Sequence, residues 1–232
     1  MRLIMGLNFG KPEGYNTIWS QARPPFRDRR SSLPPCIQRV LLSVVAPAPP
    51  RPYLCRVAVP PEYNKWLKKA QAIFSQKRQQ YGESWRALSF PSLIDLLLIK
   101  AHRLRTLYQQ NRQDKPATGE NPIEDWLSLV NYGAIALASL EKNTEISVEE
   151  VVKQNLELAQ HTLERKNADY GDAWRLMRPL AFAEFILMKL ERLRQMDHDL
   201  YTHHGAIRDN LIDIINYAIL FLCQYGNEVR TA

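Results

Sequence analysis

Apolar residues recur at three- and four-residue spacing in six stretches between residues 61 and 225, and no stretch of useful length alternates apolar with polar. Helices without strands are therefore expected. The first is expected to begin after Pro60-Pro61 and to run to about Gln80, where Gly82 offers a residue free to take φ > 0. Pro91-Ser92 opens a second helix, to about Gln110. Asn121-Pro122, an N-cap followed by proline, opens a third, to about Glu141. Gly133 weakens that third helix, which predicts close approach by another one. Ser147-Val148-Glu149-Glu150 reads as a capping box that starts a fourth helix, ending at Tyr170-Gly171. The fifth and sixth are expected over about Leu180 to Asp197 and Ala206 to Tyr225.

These six helices are one unit written twice. Between Leu67 and Leu107 a shift of 89 residues matches Ala70, Lys77, Tyr81, Gly82, Trp85, Arg86, Leu98, Lys100, Arg103 and Arg105 with Ala159, Lys166, Tyr170, Gly171, Trp174, Arg175, Leu187, Lys189, Arg192 and Arg194. After a shorter second loop the shift is 85, and Asn131-Tyr132 meets Asn216-Tyr217. Repetition at fixed spacing, position by position, marks duplication. The expected fold is all-α: two tandem three-helix units, residues 61–144 and 145–232, packed as a pseudo-symmetric helical bundle. A three-helix unit buries little core alone, so the two are expected to form one compact domain.

Composition changes this picture at one end. The formal net charge is +7, but residues 1–60 hold nine Lys/Arg and two acids, which is 9 − 2 = +7, leaving 22 of each sign in the rest. The helical region has no net field to attract a phosphate polymer, so direct nucleic-acid binding is not expected of it. Ten of the fifteen prolines also fall in residues 1–60. Proline at that density removes backbone donors and forbids helix, so the segment reads as a disordered basic tail or as an artefact of the chosen start. No apolar run approaches the roughly 18 residues of a bilayer span. Cys36, Cys55 and Cys223 are an odd, scattered set without metal or disulfide spacing, which points to a reducing, cytoplasmic setting.

Polar residues inside apolar stripes supply the candidate chemistry. Lys100 sits within the stripe Leu93, Leu96, Leu97, Leu104 and Leu107, with Arg103 at its edge. Lys189 and Arg192 repeat this among Phe182, Phe185, Ile186, Leu193 and Met196. A lysine there requires an anion: either a structural carboxylate or a ligand phosphate. On the sixth helix Asp209, Asp213 and Asn216 share a flank at i, i+4 and i+7, with Glu124, Ser128 and Asn131 at the matching places of the third. Two carboxylates and an amide on one face suit Mg²⁺ and a substrate phosphate; a helix-dipole and packing role is the alternative. At the Lys-x3-Tyr-Gly-x2-Trp-Arg corners the glycines serve the turn. Tyr81, Trp85, Tyr170 and Trp174 are expected to pack, with base stacking the alternative, while Lys77, Lys166, Arg86 and Arg175 can reach a phosphate. His198, His203 and His204 match no helical metal spacing.

Lys166-x3-Tyr170-Gly171-x2-Trp174-Arg175, Met188-Lys189-x2-Arg192-x-Arg194 and Asp213-x2-Asn216-Tyr217, with their first-unit counterparts, resemble the nucleotide modification associated domain 1 family. The likeness spans roughly Lys65 to Gln224 and implies a link to modified nucleotides without naming a reaction. In that family a Ser/Thr-Asp pair opens the second helix; here Asp95 remains, and Ala183-Glu184 replaces the pair in the second unit. A weaker similarity, to all-α nucleoside triphosphate pyrophosphatases of the MazG and dimeric dUTPase kind, implies a Mg²⁺ site on paired acids. Two functions follow. In one, Asp209 and Asp213, with Asp95 or Glu184, hold Mg²⁺ and act on a nucleotide phosphate gripped by Lys100, Arg103, Lys189 and Arg192. In the other, the same basic residues with Asn131 and Asn216 bind a nucleotide or nucleotide-derived molecule, or a partner, without catalysis. A homo-oligomer is compatible with either.

Overall fold

All six expected helices form, and several of their ends fall where capping chemistry puts them. The computed structural model describes residues 59–114, 116–140, 146–196 and 198–227. The expectation for the basic tail falls almost wholly on residues outside these. In chain order the helices are α1 (Pro61–Tyr81), α2 (Phe90–Gln109), α3 (Pro122–Leu140), α4 (Val148–Tyr170), α5 (Pro179–Met196) and α6 (His204–Tyr225). One 3-10 turn follows α1 (Ser84–Ala87) and another follows α4 (Ala173–Leu176). Among the described residues there is no strand, and no helix is long and apolar enough to cross a membrane.

Side-chain oxygens satisfy orphan amides at three helix starts. Ser89 accepts from Ser92 N at 3.4 Å, Asn121 Oδ1 from Ile123 N at 2.9 Å, and Ser147 from Glu150 N at 3.3 Å. At the other end, α1 and α4 stop at Gly82 (φ 61°, ψ −142°) and Gly171 (φ 57°, ψ −139°). That backbone region is nearly closed to any residue with a Cβ. The glycines end one helix, and the 3-10 turn aims the next.

Equivalent helices of the two units face each other. α3 packs most extensively against α6 and α2 against α5, while α2–α3 and α5–α6 close each unit. α1 and α4 each touch both α3 and α6. One hydrophobic core runs through all six helices. At the α3–α6 contact Trp126 stacks on Phe221, with ring centroids 3.8 Å apart and planes 12° off parallel. A Cβ on Gly133 would stand 2.9 Å from Ile215 Cγ1, so the close approach expected of this glycine is real. Two equivalent amides fasten the outer helices: Asn131 Nδ2 donates to Ala70 O at 3.0 Å, and Asn216 Nδ2 donates to Ala159 O at 2.9 Å.

Candidate functional site

The corners hold their side chains differently from one another. Trp174 is buried and carries the Arg175 guanidinium 4.4 Å above its ring; Trp85 is half-buried, with Arg86 at 5.0 Å. Tyr81 and Tyr170 are 70% and 73% exposed. The packing expected of the two tyrosines is therefore corrected. As the last residues of α1 and α4, they project where no other helix covers them. Glu83 lies between Arg86 and Arg78, and its hydrogen bond from Arg86 holds its carboxyl below the usual range.

The lysines of the apolar stripes find carboxylates. Lys189 Nζ donates to Asp213 Oδ2 at 2.8 Å, and Lys166 takes the other oxygen. In the first unit Lys100 Nζ donates to Asp125 Oδ1 at 2.9 Å, and Arg103 takes the second oxygen. Arg103 also donates to Thr118 Oγ1 and Glu120 O, each at 3.0 Å. Each unit thus sets two cations on one carboxylate. The two carboxylates are not equivalent, because the counterpart of Asp213 is Ser128 and Asp125 stands one turn earlier on the same face of α3. Asp125 is 5% exposed and was not among the sequence candidates. The available signal was an acid three residues before the position that had lost one.

The remaining acids stand apart. Asp209 and Glu184 are exposed, and Asp95 makes a 3.8 Å contact with Arg194 across the α2–α5 pair. Among the described residues no three His, Cys, Asp or Glu side chains come together as a metal-ligand group. With both Asp213 oxygens facing ammonium groups, the four carboxylates do not make a joint donor set for Mg²⁺. Arg192 is exposed on α5. Asn216 is engaged at both ends, since its Oδ1 also accepts from Tyr63 OH at 2.8 Å. Asn131 Oδ1, buried, has no partner among the described residues; the counterpart of Tyr63 is Val152, which carries no donor.

A cavity of about 290 Å³ opens at the first unit's corner, between α1, the 3-10 turn and α3. Lys77, Tyr81, Trp85, Ser128, Asn131 and Tyr132 are in its wall. Arg78 lines it too, already paired with Glu149 and, at 3.3 Å, Glu83. Lys77 has no carboxylate partner among the described residues. The Trp85 indole N–H, like Asn131 Oδ1, is buried and has no hydrogen-bond partner among the described residues. The wall thus brings together Lys77, without a carboxylate partner among the described residues, the Ser84 and Ser128 hydroxyls and the rings of Tyr81, Trp85 and Tyr132. Its volume lies just under the usual range of small-molecule pockets, roughly 300–1,000 Å³.

Compared with known families, residues 77–140 and 166–225 match the model described as nucleotide modification associated domain 1, one segment in each unit. No curated protein and no solved structure matches the chain.

Proposed function

Because the chain belongs to the nucleotide modification associated domain 1 family, we propose that it binds a nucleotide, or a small molecule derived from one, at the first unit's corner pocket. The observation that carries this reading is Lys77, a cation with no carboxylate partner among the described residues, in a cavity walled by Tyr81, Trp85 and Tyr132. A phosphate satisfies the ammonium, Ser128 can donate to it, and a base stacks on an aromatic face for about 1–3 kcal/mol per base. The helical region's balanced charge favours a small molecule over a polymer.

The test is thermal denaturation and titration calorimetry with ribo- and deoxyribonucleoside mono- and triphosphates. A ligand at 100 times its Kd stabilises the fold by about 2.7 kcal/mol. Lys77→Met is expected to weaken binding at least tenfold and to leave the unliganded melting temperature unchanged. A panel without any stabilising nucleotide sinks the proposal.

Mg²⁺-dependent hydrolysis or modification of a nucleotide phosphate is the second reading, favoured by Asp213 between Lys166 and Lys189, with Asp209 one turn before it on α6. Asp213 and Asp209 would hold the metal only if Asp213 were released from Lys166 and Lys189, and the ion would then supply charge neutralisation to the phosphate. Pyrophosphate or phosphate release that depends on Mg²⁺ and disappears in Asp213→Asn would carry it; release unchanged in that variant removes it.

A further inference from the structure

The two corners descend from one design, yet their charges are arranged differently. By the repeat, Lys77 corresponds to Lys166, Lys100 to Lys189, Ser128 to Asp213, and Asn131 to Asn216. In the second unit the Asp213 carboxylate lies between Lys166 and Lys189, with its side chain only 15% exposed. In the first unit Ser128 is neutral and short. Lys100 instead donates to Asp125 Oδ1 at 2.9 Å, and Lys77 is left facing the cavity. The hydrogen-bonding differs in the same sense: Asn216 is satisfied at both ends, whereas the Asn131 oxygen has no partner among the described residues. Trp174 is buried; its counterpart Trp85 is half-open.

We infer that Asp213 is a built-in anion that occupies the second unit's phosphate position, so that the chain takes one nucleotide, in the first unit only. Building on the nucleotide reading above, this assigns the ligand's phosphate a place: beside Lys77 and Ser128, where the second unit has its own carboxylate. A carboxylate held by two ammonium groups resists displacement, because an incoming phosphate must replace both charge-assisted bonds and leave an acid beside it. A serine at that position imposes no such barrier. The asymmetry thereby converts a two-site duplication into a one-site protein whose second half is locked as scaffold.

Calorimetric titration with the nucleoside monophosphate panel, and with inorganic phosphate as the bare anion, reads the number of sites. One site per chain is expected for the wild type. Ser128→Asp supplies Lys77 with the missing carboxylate and is expected to lose the site, at least tenfold in affinity. Asp213→Ser unlocks the other corner and is expected to bind two per chain. Should Asp213→Ser fail to fold, amine acylation mapped by mass spectrometry answers on the wild type: ligand is expected to protect Lys77 and to leave Lys166 labelling unchanged. Two wild-type sites, protection of Lys166, or a single site in folded Asp213→Ser overturns the inference while nucleotide binding stands. No binding to either protein overturns both.

Discussion

Asp125 and Asp209 lie near the starts of equivalent helices, α3 and α6, yet they differ in what each side chain touches. Asp125 is 5% exposed and holds Lys100 and Arg103, whose side chains are 29% and 23% exposed. Removing it leaves two largely covered cations without their anion. A buried pair broken from one side costs about 3–5 kcal/mol, and the partners' residual solvent access lowers this to about 2–3 kcal/mol. Asp209 is exposed. Asp125→Ala is therefore expected to lower stability by about 2–3 kcal/mol in urea denaturation, and Asp209→Ala by less than about 0.5 kcal/mol. Equal losses would refute the distinction. The pair also marks what could be read in advance. A lysine inside an apolar stripe demands an anion, and that need is visible for Lys100 and Lys189 from spacing alone. Which acid meets it is not visible in the first unit. Equivalence under the repeat points to Ser128, and the actual partner is a non-equivalent residue one turn earlier.

The helices were legible because their stops and starts are local chemistry. Gly82, Gly171, Asn121 and Ser147 act through backbone conformation and caps, so their effect does not depend on distant packing. The direction of Tyr81 and Tyr170 does depend on what other helices cover, and there the expectation failed. So did nothing in the sequence announce the 3-10 turns or the cavity beside one of them. Gly133 is the intermediate case, since a helix propensity defect at a fixed position implies a close neighbour without identifying it. That neighbour is Ile215 on α6, and the atom a new Cβ would meet, Cγ1 at 2.9 Å, is held near the side chain's root. Gly133→Ala gains about 1 kcal/mol of helix propensity and meets an overpacking cost of about 1–3 kcal/mol. The net expectation is a loss of about 1 kcal/mol, read as a lower melting temperature. A rise would show that α3 and α6 can move apart freely.

Across the whole molecule the shared core decides how it responds to alkali. Burial pushes up the phenols of Tyr63, Tyr108 and Tyr217 and the thiol of Cys223, Tyr108 and Cys223 each to about 12, from ordinary values of 10.0 and 9.0. For Tyr63 a hydrogen bond to Asn216 also requires the proton. In all four the fold prefers the neutral form. Their contribution to stability is complete below the unfolded values, and it is lost as pH rises from about 9 towards the folded values, because only the unfolded chain gains by ionising. The groups lie on α1, α2 and α6 and share the single core, so they are expected to titrate with unfolding and not one by one. The melting temperature should stay level up to about pH 9 and fall steadily between about pH 9 and 12. Tyrosinate absorbance from the buried rings should appear with the loss of helical ellipticity. Tyr63→Phe separates the causes: it lowers stability at pH 7 by about 1 kcal/mol through the lost hydrogen bond, and makes the alkaline decline shallower. A melting temperature unchanged between pH 9 and 12 would mean that these groups ionise in the folded bundle, and that the core is wetter than its packing indicates.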